Sequence, residues 1–189
     1  LMTSEPTVVA EPAIDESADN DITLKLQEVL GDEYEVCQPE DNCRFTKYTL
    51  RGMFDWADLL KGADVIHWNN GLWDATELFG DGTFTTEEEY ISDCVRIARI
   101  LKKITPNVIF ATTTPVWDEF EYTHNDKIQR FNEIIVPVLK AEGLVINDLY
   151  SAVATDIHKY VKECDKIHLS NEGIDLCAKL VADKINSLN

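Results

Sequence analysis

Short apolar runs alternate with amphipathic segments along most of this chain. Residues 34–37, 63–68, 107–112 and 144–147 are rich in apolar or β-branched side chains, and each run has the length of one strand. A fifth run of this kind, residues 7–10, lies in an otherwise acidic and poorly patterned stretch. Strands that alternate with amphipathic helices are typical of an α/β protein with a parallel sheet. The pattern therefore predicts a parallel five-stranded sheet if residues 7–10 form a strand.

Helical periodicity connects these runs, because apolar side chains recur there at intervals of three and four residues. The predicted helices cover residues 24–30, 48–60, 87–105, 126–139 and 171–185. Thr86 and Glu89 have the spacing of a capping box, and Ser170 can cap the last helix. In the second helix we expect one buried face, formed by Leu50, Met53, Phe54 and Ala57. Together these elements predict a three-layer αβα sandwich, flavodoxin-like, with its site at the carboxyl ends of the strands.

The chain's 189 residues, 44% of them hydrophobic, suit one domain of ordinary size. We divide them into an acidic N-terminal segment, residues 1–21, which contains the candidate first strand, and a single α/β domain, residues 22–189. No apolar run approaches the roughly 20 residues that cross a bilayer. The net charge of −18 repels nucleic acids and anionic membranes. A small molecule is therefore the expected partner, and the sequence leaves the oligomeric state open.

Five cysteines lie far apart in the sequence, and none belongs to a CxxC pair. Their odd number and their scatter favour reduced thiols in a cytoplasmic protein over a disulfide framework or a zinc site. The sequence has no cluster of His, Asp and Glu at metal-ligand spacing, no P-loop and no GxGxxG motif. We therefore expect neither a metal nor a bound nucleotide.

Asp165 and His168 are the residues with the most evident chemistry. An aspartate three residues before a histidine can hold one imidazole nitrogen and orient the ring as a general base. The pair then supplies two members of a Ser-His-Asp triad. The alternative is a surface histidine beside an acidic neighbour, and no serine of the chain is an unambiguous third member.

A second polar group follows the predicted strand at residues 63–68. Gly71 would let the backbone approach a ligand closely, and Asn69 or Asn70 can donate a hydrogen bond to an oxyanion. The alternative for these three residues is a plain turn. Trp73 and Trp117 are candidates for a substrate pocket, with core packing as their alternative.

These motifs resemble the SGNH (GDSL-like) hydrolase family of esterases and lipases. The family's third block, Gly-x-Asn-Asp, corresponds to residues 71–74, and its last block, Asp-x-x-His, to residues 165–168. The segments that are similar to a bacterial branch of the family are residues 39–51, 67–74, 111–115 and 146–150. The likeness spans residues 22–187 and implies a three-layer αβα fold and ester hydrolysis without a cofactor.

The family's first block, a strand that ends in Gly-Asp-Ser, is degraded in this chain. By its distance from the next helix, the serine corresponds to Ser17, and Asp15 and Glu16 occupy the positions of the glycine and the aspartate. The alternative for Ser17 is a solvated serine in an acidic segment. As a nucleophile, Ser17 would need His168 within hydrogen-bond distance.

The resemblance also implies an oxyanion hole, in which this chain departs from the pattern twice. Trp73 stands where the family has asparagine, so Asn69 is the substitute donor that we expect. The second-block glycine is missing, and a backbone N–H of Cys43 or Arg44 would serve in its place.

Two hypotheses follow from these residues. In the first, the protein is a serine esterase that hydrolyses a small O-acyl ester, with an acetylated carbohydrate as a candidate substrate. Its site would consist of the triad Ser17, His168 and Asp165, the oxyanion residues Cys43, Asn69 and Gly71, and the substrate-binding residues Trp73, Asn42 and Trp117. In the second hypothesis, the protein is a catalytically inactive SGNH-like protein that binds a carbohydrate or a partner protein.

Overall fold

The computed structural model describes residues 6–10 and 22–188. Five strands form one sheet in the order β2-β1-β3-β4-β5, and every neighbouring pair is parallel. The strands are β1 (Thr7–Ala10), β2 (Glu35–Cys37), β3 (Val65–Trp68), β4 (Val108–Ala111) and β5 (Val145–Asn147). Helices cover both faces of this sheet, which confirms the predicted α/β fold with its parallel five-stranded sheet.

Eight α-helices connect and cover the strands within the described residues. They are α1 (Ile22–Leu30), α2 (Thr46–Asp55), α3 (Ala57–Leu60), α4 (Glu87–Leu101), α5 (Asn125–Ala141), α6 (Leu149–Val153), α7 (Ile157–Tyr160) and α8 (Asn171–Asn186). A short 3-10 helix, Gly31–Glu33, follows α1. In this part of the chain, no helix has both the length and the apolar character of a membrane span.

The core consists of two apolar layers, because successive strand side chains point to opposite faces of the sheet. On one face, α1 and α8 pack against the sheet through Leu26, Val181, Ile185, Val8 and Val65. On the other face, α4 and α5 pack through Ile97, Ile135, Val9, Ile66 and Phe110. The chain is therefore a three-layer sandwich.

Strand β1 is an interior strand of the sheet. It pairs with β2 on one side and with β3 on the other, and Val8, Val9 and Ala10 are all buried. The chain continues from β1 to β2 on one side and later returns to β3 on the other, so the strand order reverses beside β1. Ligands in such sheets bind outside the carboxyl ends of the strands at the point of reversal. The loop after β3 lies at that edge.

The structure corrects the predicted second helix, residues 48–60. It consists of two helices, α2 and α3, and Phe54, which we expected to be buried, is 79% exposed. The buried residues of α2 are Thr46, Thr49, Gly52 and Met53. Two of them are threonines whose hydroxyls form hydrogen bonds with buried polar side chains. The positions of the apolar residues alone therefore predict the wrong buried face.

Candidate active site

Asp165 and His168 lie on the loop between α7 and α8, and they are in direct contact. Asp165 Oδ2 is 2.9 Å from His168 Nδ1, while Oδ1 accepts hydrogen bonds from the backbone N–H groups of Ile167 and His168, each at 3.0 Å. The carboxylate therefore orients the ring and also shapes the turn that carries it. The predicted contact of these two residues is present in the structure.

The electrostatics of this loop keep Asp165 ionised. Partial burial opposes the charge, but the hydrogen bonds from the backbone N–H groups of His168 and Ile167 and from the imidazole outweigh it, so the pKa of Asp165 is lowered. An ionised carboxylate accepts a hydrogen bond from Nδ1–H. The neutral imidazole is therefore held in the tautomer whose lone pair is on Nε2, as a general base requires.

Backbone contacts with α7 and with the start of α8 fix the loop. His168 O accepts from the N–H of Lys162, and Val161 forms an antiparallel bridge with Leu169. The Ser170 hydroxyl accepts from Gly173 N at the start of α8, as predicted for a cap, and donates to the Lys159 carbonyl. His168 is therefore held by segments on both sides.

Trp117, which we expected to contact substrate, packs behind this loop. Its indole N–H donates to Val161 O at 3.1 Å, its backbone N–H donates to Lys166 O, and its ring centroid is 4.2 Å from that of His158. These contacts support a positioning role for Trp117.

The loop after β3 is joined to the Cys43 loop by Asn70. Asn70 is 1% exposed, and its amide donates to the carbonyls of Arg44 and Cys43 at 3.2 and 3.4 Å. Its side-chain oxygen accepts from the Thr49 hydroxyl and from the Trp68 indole, both at 2.8 Å. Asn70 thereby fixes the distance between the two loops in which we expect oxyanion donors.

The three expected oxyanion residues lie in these two loops. Asn69 donates its amide to Ala111 O at 2.8 Å and to Thr113 Oγ1 at 3.1 Å. Gly71 has a φ of +149°, and a Cβ there would lie 3.1 Å from the Tyr90 hydroxyl and closer still to Thr113 Oγ1. Cys43 is buried, with 5% of the residue exposed, so the expectation for it concerns its backbone N–H.

Arg44, the alternative to Cys43, has a positive φ of 45°, and its N–H donates to Asn42 Oδ1 at 3.1 Å. A local hydrogen bond of this kind is typical of a turn that begins with asparagine. The Arg44 N–H is therefore already used within its own loop.

Asp74 is a buried anchor to which the sequence analysis assigned no role. Its Oδ1 accepts from the Thr46 backbone N–H at 3.1 Å and from the hydroxyls of Thr46 and Thr85 at 2.9 and 2.7 Å. Its Oδ2 has no partner among the described residues. Burial raises the pKa of Asp74, against the effect of these hydrogen bonds and with a smaller contribution from the charge of Asp93. Asp74 ties the loop after β3 to the start of α2 and to the segment before α4.

His67, by contrast, is part of the core of β3. It is 7% exposed, and burial lowers its pKa to about 4, so it is neutral at pH 7. Its Nε2 lies 3.4 Å from the Asn147 amide. His67 is therefore a neutral histidine of the core.

A cleft of about 510 Å³ opens beside the loop after β3. We call it the His168 cleft, and its walls include Asn42, Trp73, Phe84, Phe120, Tyr122 and His168. Two of the expected substrate-binding residues, Asn42 and Trp73, thus lie in the same cleft as the expected base. Trp117 is not among the described residues that line it, and Ser17 lies outside the described residues altogether.

The chain is similar to solved hydrolase structures over nearly its whole length. A lipase/acylhydrolase from Enterococcus faecalis is 16% identical with a TM-score of 0.79, over 97% of this chain and 96% of that one. An acetyl xylan esterase is 17% identical with a TM-score of 0.73, over 96% and 98% of the two chains. A GDSL-like lipase from Bacteroides thetaiotaomicron is 19% identical with a TM-score of 0.69, over 98% and 89%.

Comparison of sequences alone finds no further relative. No family profile and no curated protein sequence matches the chain. At identities below one fifth, structural likeness establishes the fold and leaves the activity to be argued from the site. The sheet order, the covering layers and these neighbours together show that the chain has the fold of the SGNH (GDSL-like) hydrolases.

Proposed function

We propose that this protein is a serine esterase that hydrolyses a small O-acyl ester. The observation that carries the proposal is the contact between Asp165 and His168, 2.9 Å apart at the mouth of a cleft in an SGNH-type fold. Structural neighbours named as a lipase/acylhydrolase and as an acetyl xylan esterase support an ester substrate. An acetylated carbohydrate is one candidate of that class.

In the proposed mechanism, Ser17 Oγ attacks the ester carbonyl carbon while His168 Nε2 takes the hydroxyl proton. The carbonyl oxygen becomes an oxyanion as the tetrahedral intermediate forms. When the bond to the alcohol oxygen breaks, His168 returns the proton to that oxygen, and the alcohol leaves. Water then attacks the acyl-serine with His168 again as the base, which releases the carboxylic acid and restores Ser17.

The oxyanion would be held by hydrogen-bond donors from the two loops that Asn70 joins. The proposed donors are the backbone N–H groups of Gly71 and Cys43 and the Asn69 amide. The Asn69 amide donates to Ala111 and Thr113 in the structure, so it would exchange one of these hydrogen bonds for one to the oxyanion. The tight contact around Gly71 supports a rigid donor at that position.

A fluorophosphonate probe tests this proposal, because it reacts covalently with an activated serine. We expect one labelled peptide, containing Ser17, and loss of the label in the Ser17→Ala and His168→Ala variants. His124→Ala is the matched control, since His124 lies at the start of α5, and it should keep the label.

Two results would overturn the proposal in different ways. A folded protein that takes up no label and hydrolyses no ester would favour the inactive binding protein. A label on another serine would keep the hydrolase but would move the nucleophile away from Ser17.

A further inference from the structure

Several large apolar side chains of the His168 cleft are exposed. Trp73, Leu78, Phe84 and Tyr122 all line it, and each is between 42% and 48% exposed. Single exposed apolar residues are common on protein surfaces, but a contiguous group beside polar chemistry marks a binding site. His168 lines the same cleft.

Three polar side-chain atoms in the cleft are used by the protein itself. The Thr76 hydroxyl donates its only proton to Leu72 O at 2.8 Å, and Thr123 Oγ1 lies 2.8 Å from Thr76 Oγ1. Because Thr76 has no second proton, Thr123 must donate to it. Asn42 Oδ1 accepts from the Arg44 N–H. A sugar needs many hydrogen-bond partners for its hydroxyls, and these three atoms are already engaged.

The walls of the cleft are held in place by hydrogen bonds and by ring contacts. Phe84 N donates to Thr76 O at 2.7 Å, and Glu77 N donates to Tyr122 O at 2.8 Å. The rings of Phe84 and Phe45 meet edge to face with centroids 5.0 Å apart. A preformed apolar surface binds an apolar group without first losing its own conformational freedom.

The position of His168 decides which part of an ester would lie in the cleft. The general acid must reach the oxygen of the departing alcohol, so the alcohol lies beside the imidazole. The acyl carbonyl lies at the oxyanion donors. Gly71 and Cys43 are not among the described residues that line the cleft, although their chain neighbours Leu72 and Asn42 are. Because the apolar residues line the same cleft as His168, they suit the alcohol that leaves beside the imidazole.

We propose that the His168 cleft binds the apolar alkyl or aryl group of the ester's alcohol, so that the preferred substrate is an ester of a hydrophobic alcohol. This proposal rests on the esterase function proposed above and specifies its substrate class. Each methylene that enters the cleft raises kcat/KM up to about fourfold, from the free energy of burying a CH₂ group. Between an ethyl and a hexyl ester, partial burial of four added methylenes should give at least about tenfold.

Two series of esters test this assignment. In the first, the acyl group is always acetyl, and the alcohol is ethyl, butyl, hexyl or benzyl. In the second, the alcohol is always ethyl, and the acyl group lengthens from acetyl to octanoyl. We expect kcat/KM to rise at least about tenfold along the first series and to change little along the second.

Variants of the cleft locate the effect. Trp73→Ala and Leu78→Ala should each lower the hexyl-to-ethyl acetate ratio several-fold, because each removes part of the apolar wall. Phe79→Ala is the matched control: Phe79 is on the same loop and is 80% exposed, but it is not among the residues of the cleft wall, so the ratio should stay unchanged. If Trp73→Ala fails to fold, Leu78→Ala still tests the proposal.

A binding measurement separates this proposal from the esterase proposal. Hexan-1-ol, the product of hexyl acetate, should shift the tryptophan fluorescence of the wild-type protein to shorter wavelength and should not do so in Trp73→Phe.

The combined results distinguish the two proposals. If esters are hydrolysed but only the acyl series shows a gain, or an acetylated xylo-oligosaccharide is preferred to hexyl acetate, the cleft proposal is wrong and the esterase stands. If hexan-1-ol binds but no ester is hydrolysed, the esterase proposal fails. If hexan-1-ol does not bind, the cleft proposal fails whatever the activity.

Discussion

Asp74 Oδ1 accepts both the backbone N–H and the hydroxyl of Thr46, at 3.1 and 2.9 Å. Thr46 is the first residue of α2, and Asp74 lies in the loop after β3, so one buried oxygen joins two of the segments around the site. A helix start leaves backbone donors without helical partners, and Asp74 satisfies one of them from a distant part of the chain. This arrangement makes Asp74 a point at which stability and site geometry depend on the same contacts.

Removing this carboxylate should destabilise the fold strongly. In Asp74→Ala, the N–H and hydroxyl of Thr46 and the hydroxyl of Thr85 lose their common acceptor in a buried place. We expect the free energy of unfolding to fall by about 3 kcal/mol, because each buried donor without a partner costs about 1 to 3 kcal/mol and some regain water. Urea denaturation of the variant and of the wild type measures this difference in the free energy of unfolding.

The matched control is Asp55→Ala, because Asp55 forms an exposed ion pair with Arg51. Exposed pairs contribute up to about 1 kcal/mol, so this variant should stay close to the wild type. Equal losses in the two variants would contradict the anchoring role of Asp74.

The raised pKa of Asp74 predicts a specific pH dependence of stability. A carboxyl group whose pKa is higher in the folded state than its ordinary value of 3.8 stabilises the fold fully below that value and loses this contribution as pH rises through the folded pKa. Asp74→Asn keeps an oxygen acceptor and has no titration. The free energy of unfolding of the Asn variant, relative to the wild type, should therefore increase from about pH 3 to about pH 7.

Denaturation curves of both proteins across this range measure the difference directly. Every other acidic group is common to the two proteins and cancels to first order in the subtraction. A difference that is constant with pH, or that decreases, would show that burial does not raise the pKa of Asp74.

The sequence predicted those parts of the fold that apolar periodicity defines. The β-branched run Val8–Val9 was a candidate strand and forms an interior strand of the sheet, and Ser170 caps α8 as expected. The contact of Asp165 with His168 was also predicted, because three residues of separation bring the two side chains together within one turn. These features depend on neighbours in sequence.

Features that depend on distant polar contacts were not predicted. Thr46 and Thr49 face inward because their hydroxyls donate hydrogen bonds to the side chains of Asp74 and Asn70. The pattern of apolar residues does not indicate such partners. The helices α6 and α7 have five and four residues, too short for a periodic signal, and caps by Asp148 and Asp156 mark their starts. Ser17, Asp15 and Glu16 lie outside the described residues, so the degraded first block stays a prediction.

Replacing Asp165 with asparagine should abolish activity and leave the fold nearly intact. The asparagine oxygen can still accept from the N–H groups of Ile167 and His168, so the turn is kept. Its NH₂ group then faces Nδ1 and favours the imidazole tautomer with the proton on Nε2, which cannot act as a base. We expect kcat for an acetate ester to fall by about two to four orders of magnitude, with little change in unfolding free energy.

Asp156→Asn is the matched control, because Asp156 caps the nearby α7 through the N–H of Lys159 and does not touch His168. Its kcat should equal that of the wild type. Retention of most activity in Asp165→Asn would mean that the contact between Asp165 and His168 is structural, and it would remove Asp165 from the proposed triad.

The last prediction concerns Gly71, where the backbone and its neighbours leave no room for a side chain. A Cβ at Gly71 would meet the hydroxyls of Tyr90 and Thr113, and both hydroxyls donate to the Asn70 carbonyl at 2.6 and 3.2 Å. Neither can move away without breaking the hydrogen bond that holds the loop. Gly71→Ala should therefore destabilise the protein by about 2 kcal/mol and lower kcat at least about tenfold, because a proposed oxyanion donor shifts.

Gly82→Ala separates the effect of backbone strain from the effect of the close contacts. Gly82 also has a positive φ, +116°, but nothing lies within 4 Å of a Cβ there. Backbone strain alone would destabilise both variants and leave the activity of Gly82→Ala unchanged. The contact around Gly71 adds a second effect, which should be visible as a loss of kcat only in Gly71→Ala. A Gly71→Ala protein that is destabilised but has full activity would remove Gly71 from the proposed oxyanion hole while keeping its role in packing the loop after β3.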